Sequence, residues 1–333
     1  MKVRDPRLVL NFLHDRNHVL PLGIVYLTDK CNSRCVMCDY WKNGNVFLSI
    51  EQAGQISSRF DALSTRWVLL SGGEPLLHPQ WGEIADVLSG GKRSLWLLTA
   101  GLSLKKHAGE VIDKCENITV SLDGATPDVY ESIRGLDAFG EVCAGIRAVV
   151  KQGRRVSIRC TVQRRNFRQL PELIDLAHDL GVDQISFLAI DTLTHAAFAR
   201  KDAIKADLSL APEDLPEFER ILCELTSRSR SDFETGFIAE SPAKLMRLPQ
   251  YFSAMHGLAN FPQVRCNAPR FSSVFTADGF VQPCYFIEPE EKTRDVNAAV
   301  MSSIRRNIRS GKRAECNTCV CSMYRSLPSF VTG

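Results

Sequence analysis

Along the first two thirds of the chain, short apolar runs alternate with longer amphipathic stretches. The apolar runs are rich in β-branched residues and do not alternate polar with apolar positions, which is typical of strands buried on both faces. Six such runs occur, at 22–29, 66–73, 94–101, 117–124, 155–163 and 183–190. The stretches between them predict helices at 79–88, 104–114, 139–153 and 170–181, and from about Ser49, where "SIEQ" is a capping pattern.

Strands that alternate with helices predict parallel β/α units. Six units are too few to close an eight-stranded barrel, so the sequence predicts an α/β fold with a partial (β/α)6 TIM-like barrel, with an open sheet as the alternative. In either form, ligands bind at the carboxyl ends of the strands. The segments "CNSRCVMC", "SGGEP", "TAG" and "SLDG" all follow predicted strands, so we expect them to meet at one edge of the sheet.

The pattern changes after Ile190. Helices are predicted at about 212–228 and 241–256, and the polar stretch 227–236 is interpreted as a mobile segment. Further on, "SSVFTADGFVQPC" has two β-type runs around Asp278-Gly279, which predicts a hairpin. A last helix is expected at about 297–310. We therefore predict three parts, a barrel at 18–200, a helical connecting region at 201–260 and a C-terminal unit at 261–333.

Charge excludes some classes of partner. Among 333 residues, 41 are Lys or Arg and 38 are Asp or Glu, which gives a net charge of +3. This balance lacks the basic footprint of a nucleic-acid-binding protein or of a membrane-surface protein. The N-terminal segment lacks a signal-peptide core, and no run approaches 18 uninterrupted apolar residues. The sequence thus predicts a cytoplasmic protein with no nucleic-acid or membrane partner.

The twelve cysteines are unevenly placed. In a large chain without a signal peptide, clustered cysteines indicate metal ligands rather than a disulfide framework. Cys31, Cys35 and Cys38 form a first group, which fits either a zinc knuckle or three corners of an iron–sulfur cluster. Three thiolates leave one coordination position open, which marks a catalytic metal site. The isolated cysteines are interpreted as small buried hydrophobic residues, and they are Cys115, Cys143, Cys160 and Cys223.

The C-x3-C-x2-C spacing directly after the first strand resembles the radical S-adenosylmethionine (SAM) superfamily, over about residues 20–190. The resemblance implies that the three thiolates hold a [4Fe–4S] cluster whose open iron binds SAM. An electron from the cluster then cleaves SAM to a 5′-deoxyadenosyl radical, which abstracts a substrate hydrogen. One departure is Met37, since the superfamily usually has an aromatic residue before the third cysteine. Methionine can still pack against an adenine ring.

The resemblance also implies SAM contacts at the other strand ends. "GGEP" looks like the superfamily motif that contacts the SAM amino group, "SLDG" supplies candidates for the ribose hydroxyls, and an arginine on the fifth strand is a candidate for the carboxylate. For each, a plain strand-end turn or a structural ion pair is the alternative. The implied SAM-binding residues are Met37, Gly72, Gly73, Glu74, Pro75, Ser121, Asp123 and Arg159.

A second group of cysteines lies near the C-terminus. Cys266 and Cys284 have the spacing C-x12-G-x4-C, and Cys316 and Cys319 follow as C-x2-C. This pattern resembles the SPASM and twitch extensions of radical SAM enzymes and implies one auxiliary [4Fe–4S] cluster bound by these four residues. Cys321 is the fifth cysteine, either an alternative to Cys319, a free thiol or a contributor to catalysis. A four-cysteine zinc site is the alternative for the whole group.

Taken together, the motifs predict a radical SAM oxidoreductase that carries out a two-electron oxidation of a small biosynthetic metabolite, with the auxiliary cluster as electron acceptor. The length of the chain favours a small substrate, because many peptide-modifying members of the superfamily carry an extra N-terminal peptide-recognition domain and a longer C-terminal extension. The alternatives are a maturase acting on a ribosomal peptide or protein and a non-catalytic electron carrier. An external reductant such as flavodoxin or ferredoxin is implied. No catalytic residue is identified, and region alone suggests His195, Glu234, Glu240, Arg270 and Tyr285 near the pocket.

Overall fold

The computed structural model describes residues 5–14, 16–194, 198, 206–263, 265–287, 291–299, 307–308 and 313–323. Six parallel strands lie side by side in chain order. They are β1 (Leu22–Thr28), β2 (Trp67–Gly72), β3 (Ser94–Thr99), β4 (Asn117–Ser121), β5 (Arg155–Val162) and β6 (Gln184–Ala189). The predicted partial barrel is confirmed. Every residue of β1 is buried, as expected for a strand covered on both faces.

Helices connect the strands and cover the sheet. In this part they are α1 (Leu8–Leu13), α2 (Tyr40–Asn43), α3 (Ile50–Ala62), α4 (Trp81–Ser89), α5 (Leu104–Lys114), α6 (Pro127–Arg134), α7 (Phe139–Val150) and α8 (Leu170–Asp179). The predicted capping box is confirmed: the Ser49 hydroxyl accepts from the Gln52 amide, and the Gln52 side chain accepts from the Ser49 amide. The sequence pattern did not predict the short helix α6, which bears on the site.

The C-terminal hairpin is confirmed, and it extends the barrel sheet. Strands β7 (Ser272–Phe275) and β8 (Val281–Gln282) pair antiparallel, with Gly279 in the left-handed region at φ 82°. Strand β7 also pairs in parallel with β1, on the edge of β1 opposite to β2. The ring of Phe275 meets that of Phe60 on α3 edge to face, at 5.0 Å between centroids. Burying one such side chain contributes about 1.5–3 kcal/mol, so the hairpin is anchored in the barrel core.

Along the chain, the remaining helices come between the last barrel strand and the hairpin, or after the hairpin. They are α9 (Leu215–Arg228), α10 (Arg230–Thr235), α11 (Pro242–Leu245), α12 (Arg247–Met255), α13 (Val296–Ala299) and α14 (Ala314–Asn317). The interpretation of 227–236 as a mobile segment was wrong, because helix α10 occupies it and Phe233 packs against the core. Most of the predicted helix at 297–310 lies outside the described residues. Among the described residues, no helix is long and apolar enough to cross a membrane.

Candidate active site

The loop that carries the first cysteine group leaves the carboxyl end of β1 and passes over the end of β2. The backbones approach closely there: the Gly73 amide donates to the Thr28 carbonyl at 2.8 Å, and the Glu74 amide donates to the Lys30 carbonyl at 2.8 Å. A Cβ at Gly72, whose φ is 117°, would stand 2.3 Å from the Thr28 oxygen. Glycine is therefore required so that the cysteine loop can lie against the second strand.

On its other side, the same loop is fastened to the end of α6. The Arg34 amide donates to the Arg134 carbonyl at 2.9 Å, and the Val36 amide donates to the Ile133 carbonyl at 3.0 Å. These carbonyls belong to the last turn of the helix, where no intrahelical partner remains for them. Gly135 ends the helix at φ 71°, and a Cβ there would lie 2.5 Å from the Arg34 oxygen. The loop is thus held between β2 and α6.

The three thiols of this loop line one cavity and differ in exposure. Cys35 is buried, and Cys31 and Cys38 are partly buried. Burial, followed by the neighbouring Glu74 carboxylate and Cys35, raises the pKa of the Cys31 thiol to about 12. Because a metal ligand must be a thiolate, iron binding here has to displace a proton. Three convergent sulfur donors at a strand end fit an iron–sulfur cluster with one open corner.

The cavity has a volume of about 240 Å³ and opens over the carboxyl ends of the strands. It brings together most of the residues predicted from separate motifs. The residues singled out from the sequence that line this cavity are Cys31, Cys35, Met37, Cys38, Gly72, Gly73, Thr99, Ala100, Ser121, Arg159, Tyr285 and Cys321. The convergence of these motifs on one edge of the sheet follows from the parallel strand order.

Within the "GGEP" motif, the two halves face different ways. Gly72 and Gly73 line the cavity, whereas Glu74 and Pro75 lie behind its wall. The Glu74 carboxylate is fully buried and accepts from the Thr99 hydroxyl at 2.9 Å and from the Ala100 amide at 2.7 Å. Burial raises the pKa of Glu74. Its contacts join the ends of β2 and β3, so Glu74 supports the cavity wall and does not line it.

The "SLDG" motif is divided in the same way. Ser121 lines the cavity and is the register partner of Arg159 on β5, which also lines it. The Arg159 Nε atom is buried and makes no hydrogen bond within the described structure, so this side chain can take an anionic ligand. Asp123 is not in the lining. Its carboxylate is fully buried, accepts from the Thr161 amide at 2.6 Å and forms an ion pair with Arg134 at 2.6 Å.

Arg134 is a site residue that the sequence reasoning missed. It lines the cavity although it is only 7% exposed, and its Nη1 atom donates to the Cys35 sulfur at 3.5 Å. The helix that carries it was not predicted. A signal was present, because Arg134 follows Tyr130 by four positions and so lies on the face of α6 that Tyr130 buries.

The second cysteine group is assembled from three stretches of the chain. The pKa of Cys284 is raised to about 12 and that of Cys316 to about 11, first by burial and then by Cys266 beside both. Burial also raises the pKa of Cys319, with Cys321, Cys266 and Cys284 as neighbours. Cys266, Cys284, Cys316, Cys319 and Cys321 therefore lie near one another. Among the described residues, no three His, Cys, Asp or Glu side chains are grouped to hold a single metal ion.

Cys321 neighbours Cys319 and also borders the cavity of the first cysteine group. Its amide donates to the Cys319 sulfur at 3.4 Å, yet its side chain lines the same cavity as the first cysteine group. Between the two groups stands an aromatic wall of Tyr26, Tyr40 and Tyr285. The ring centroids of Tyr26 and Tyr40 lie 6.3 Å apart, and those of Tyr26 and Tyr285 lie 6.2 Å apart. Sequence reasoning missed Tyr26 and Tyr40, which lie on β1 and just after the cysteine loop.

The other residues suggested by region have separate outcomes. Tyr285 lines the cavity, as stated. Glu240 is buried and accepts from the Phe187 amide at 2.9 Å, and Glu234 is exposed and pairs with Arg230. Arg270 is buried and donates to the Asn11 carbonyl. None of these three lines the cavity of the cysteine loop, although Glu240 borders the small cavity that Cys319 also lines, and His195 lies outside the described residues.

Comparison with known proteins agrees with this geometry. Residues 25–177 match the family model described as the radical SAM superfamily. This part of the chain is a radical SAM domain, the kind of domain that uses a [4Fe–4S] cluster and SAM. The match covers a little less than half of the chain. The matched range contains the cysteine loop and the carboxyl ends of β1 to β5, and the end of β6, which also lines the cavity, lies beyond it.

By sequence, this chain is similar to GTP 3′,8-cyclases. A GTP 3′,8-cyclase of Rhizobium etli is 30% identical over 171 residues, which is 48% of this chain and 49% of that protein. A probable GTP 3′,8-cyclase of Sulfolobus acidocaldarius is 24% identical over 286 residues, 84% of this chain and 85% of that protein. The chain spans about half the length of the first of these relatives.

Among solved structures, SuiB of Streptococcus suis bound to S-adenosylmethionine aligns with a TM-score of 0.68 at 13% identity, over 97% of this chain and 78% of that chain. The enzyme anSMEcpe with bound AdoMet aligns with a TM-score of 0.64 at 17% identity, over 90% of this chain and 88% of that chain. At these identities the likeness shows the fold, including the part that follows the barrel.

Proposed function

We propose that this protein oxidises a small biosynthetic metabolite by two electrons, with SAM as the source of the initiating radical and an auxiliary [4Fe–4S] cluster as the electron acceptor. The observation that carries the proposal is the cavity of about 240 Å³. Its lining includes the three thiols of the first group, Cys31, Cys35 and Cys38. It also includes Cys321 of the second cysteine group, together with Tyr285. A substrate bound there lies between the two groups.

The first cysteine group holds the cluster that binds SAM. Its ligands are Cys31, Cys35 and Cys38, and the bound cluster and SAM together supply the 5′-deoxyadenosyl radical that removes one hydrogen atom from the substrate. Arg159, whose Nε is buried without a partner in the described structure, binds the SAM carboxylate. Ser121 reaches the ribose hydroxyls, and Met37 packs against adenine. Gly72 and Gly73 offer backbone atoms to the amino group.

Three of the residues predicted to contact SAM support the site from behind the cavity wall and do not line the cavity. Glu74 ties the ends of β2 and β3 together through Thr99 and Ala100. Pro75 begins the buried turn that follows it. Asp123 holds Arg134 beside Cys35. Each of the two carboxylates already has its protein partners, so we assign both to the support of the SAM site rather than to direct contact.

The second cysteine group completes the oxidation. After losing a hydrogen atom, the substrate radical must lose one proton and one electron to reach the two-electron product. We assign Cys266, Cys284, Cys316 and Cys319 as the residues that would hold a cluster able to accept this electron, because these thiols lie near one another. A cluster with four protein ligands has no open iron, which suits electron transfer. Reduced flavodoxin or ferredoxin is the proposed donor for the first step.

The aromatic wall shapes the substrate space. Tyr26, Tyr40 and Tyr285 line the cavity together with Phe286, and burial raises the pKa of all three tyrosines. They remain neutral hydroxyl-bearing rings over the whole working pH range. Such a wall excludes water from a radical intermediate and fits the apolar face of a ring-shaped metabolite.

Anaerobic reconstitution tests this function. Iron and sulfide analysis is expected to give about eight irons per chain, as two [4Fe–4S] clusters require. With SAM and a reductant the protein should release 5′-deoxyadenosine, and with a substrate it should form a product that has lost two hydrogens, one product for each SAM consumed. About four irons per chain would contradict the auxiliary cluster. A product with the same oxidation state as its substrate would contradict the oxidation.

A second candidate function is the oxidation or crosslinking of a ribosomal peptide. A surface groove of about 900 Å³ runs past the second cysteine group and is lined by Lys244, Arg247, Phe261 and Arg265, among others. Lys244 and Arg247 also border the small cavity that contains Cys319. A basic groove of this kind suits an acidic segment of extended chain. SuiB, which shares the fold with a TM-score of 0.65, has been solved with its precursor peptide SuiA.

Peptide incubation separates the two candidates. Loss of two hydrogens from an added peptide, measured by mass spectrometry, would favour the second. In that case a Lys244→Ala, Arg247→Ala variant should raise the KM for the peptide several-fold and leave SAM cleavage unchanged. A Lys105→Ala, Lys106→Ala variant, which removes two exposed charges from α5, is the matched control. If the two double variants have the same KM for the peptide, the groove does not bind it.

A further inference from the structure

Arg134 has a buried charge that the SAM contacts do not account for. Three arginines are buried in the described part of the chain, Arg93, Arg134 and Arg270. Arg93 forms its ion pair with Asp61 near the amino end of β3, and Arg270 donates to a backbone carbonyl. Only Arg134, of these three, lines the cavity of the cysteine loop. A buried guanidinium is costly unless it is paired, so its partners show what it does.

One partner is a fixed carboxylate. Arg134 Nη2 stands 2.6 Å from the Asp123 carboxylate, which is itself fully buried. Asp123 cannot turn away, because its other oxygen accepts from the Thr161 amide at 2.6 Å and its carbonyl accepts from the Asn166 side chain at 2.8 Å. The ends of β4 and β5 therefore hold the acceptor in place, and the acceptor holds the guanidinium.

The other partner is the sulfur of Cys35. Arg134 Nη1 lies 3.5 Å from that sulfur, and the backbone carbonyl of Arg134 accepts from the Arg34 amide, the residue before Cys35. Arg134 thus forms hydrogen bonds to the cysteine loop through both its main chain and its side chain. When Cys35 is a thiolate ligand, the guanidinium lies between two anions, and the N–H···S contact becomes a charge-assisted hydrogen bond.

Hydrogen bonds to the sulfurs and nearby charge are two of the factors that set the reduction potential of an iron–sulfur cluster. One-electron reduction makes the cluster more negative, and a cation that donates to its ligand stabilises the reduced form more than the oxidised form. Burial strengthens this effect because little water screens the charge.

We propose that Arg134, held by Asp123, donates to the Cys35 thiolate and raises the reduction potential of the SAM-binding cluster, so that the physiological donor can reduce it. Arg134 is then a positioning and tuning residue and does not touch the substrate. The inference rests on the cluster ligands proposed above. It does not depend on which substrate is oxidised.

Redox titration followed by electron paramagnetic resonance tests the proposal. The variants are made in a Cys266→Ala background, so that the first cluster alone reports, and iron content is measured for each. At the midpoint potential of the parent, Arg134→Gln should lower the ratio of reduced to oxidised cluster about tenfold, a shift of about 59 mV for one electron.

The sign of the shift separates tuning from simple loosening of the loop. Asp123→Asn removes the competing anion and should move the potential upward, opposite to Arg134→Gln. Arg134→Lys keeps the charge and should give a smaller downward shift. Arg93→Gln removes a buried arginine near the amino end of β3 and should keep the parent potential.

Three results would overturn the proposal. The first is an unchanged or raised reduction potential in Arg134→Gln. If the Gln variant binds no cluster, the second is an unchanged or raised potential in Arg134→Lys. The third is a shift of the potential in the same direction in Arg134→Gln and in Asp123→Asn. If neither Arg134 variant binds iron while the parent does, Arg134 acts in holding the cysteine loop, and that result also counts against the tuning role. If the parent itself binds no iron in the Cys266→Ala background, the ligand assignment fails instead, which is a separate result.

Discussion

The two cysteine groups contrast in how the chain builds them. Cys31, Cys35 and Cys38 lie within eight residues on one loop, and backbone hydrogen bonds fasten that loop to β2 and α6. Cys266, Cys284, Cys316 and Cys319 come from three stretches of the chain that only the fold brings together. The first group faces a cavity, and of the second group only Cys321 lines it.

This difference teaches that an open site and a closed site have different structural needs. A cluster that must bind SAM keeps one corner free, so three ligands on one rigid loop suffice. A cluster that only accepts electrons needs four ligands and no access for a substrate, and ligands from several segments enclose it. Cys284 follows β8, which pairs with β7, and β7 in turn pairs with β1, so the barrel sheet fixes the position of the hairpin that carries Cys284.

The largest effect is expected at the first group. Cys31→Ala should abolish formation of 5′-deoxyadenosine, because two thiolates cannot keep the cluster oriented towards SAM. Iron should fall from about eight to about four per chain. Chromatographic detection of 5′-deoxyadenosine measures the loss. Cys223→Ala, which changes an exposed cysteine on α9, is the control and should retain full cleavage. Cleavage at the parent rate in Cys31→Ala would show that the loop is not the SAM site.

A substitution in the second group should separate cleavage from product formation. Cys284→Ala is expected to lose the oxidised product almost completely while a measurable part of SAM cleavage remains, since the electron from the substrate has no acceptor. The ratio of 5′-deoxyadenosine to product, compared between the variant and the parent, is the measurement. A variant that keeps this ratio near one would refute the role of the second cluster in the oxidation.

A smaller effect distinguishes Cys319 from Cys321. Cys319→Ala should lose about half of the bound iron, because we assign its thiol as a cluster ligand beside Cys266 and Cys284. Cys321→Ala should keep the iron and the spectrum of both clusters, because we assign Cys321, which borders the first cavity, to that cavity and not to the cluster. Iron analysis and electron paramagnetic resonance of the two variants compare them directly. The reverse outcome would make Cys321 the fourth ligand.

The smallest effect concerns the contact between the first loop and α6. Gly135→Ala should destabilise the fold by about 2 kcal/mol, partly from the left-handed backbone, which costs about 1–2 kcal/mol, and partly from the clash with Arg34. Cluster loading should fall with it. Gly153→Ala is the matched control, since its φ is 76° and a Cβ there meets nothing within 4 Å. Thermal unfolding and iron content measure both.

The control has its own expected result. Gly153→Ala carries the backbone cost alone, so it should lower the melting temperature and leave iron loading at the parent level. If both variants bind the same amount of iron, the contact between Gly135 and the cysteine loop does not matter for the cluster.

The sequence predicted the parts of the fold that depend on local pattern. Strands such as Leu22–Thr28 and the capping box at Ser49 follow from hydrophobic runs and short-range hydrogen bonds, and both are present. The hairpin at Asp278-Gly279 was also predicted, because its turn residues are specific. The helix α6 was missed because it has only eight residues, too few for a clear helical period.

The candidate site was predicted in its motifs and less completely in its contacts. The four strand-end segments meet as expected, because parallel strands bring their carboxyl ends to one edge. That Glu74 and Asp123 point away from the cavity depends on partners 25 and 38 positions away along the chain. No local pattern carries such information, and a carboxylate after a strand looks the same in sequence whether it meets a ligand or an arginine.

By itself, the sequence determined the alternation of strands and helices and the spacing of the first three thiols, since both depend on neighbours a few residues apart. Tertiary structure alone decided that β7 joins β1, that a buried Asp123–Arg134 pair reaches Cys35, and that Cys321 lines the cavity of the first group. These features join distant segments, and their energies come from burial and ion pairing, which exist only once the chain has folded.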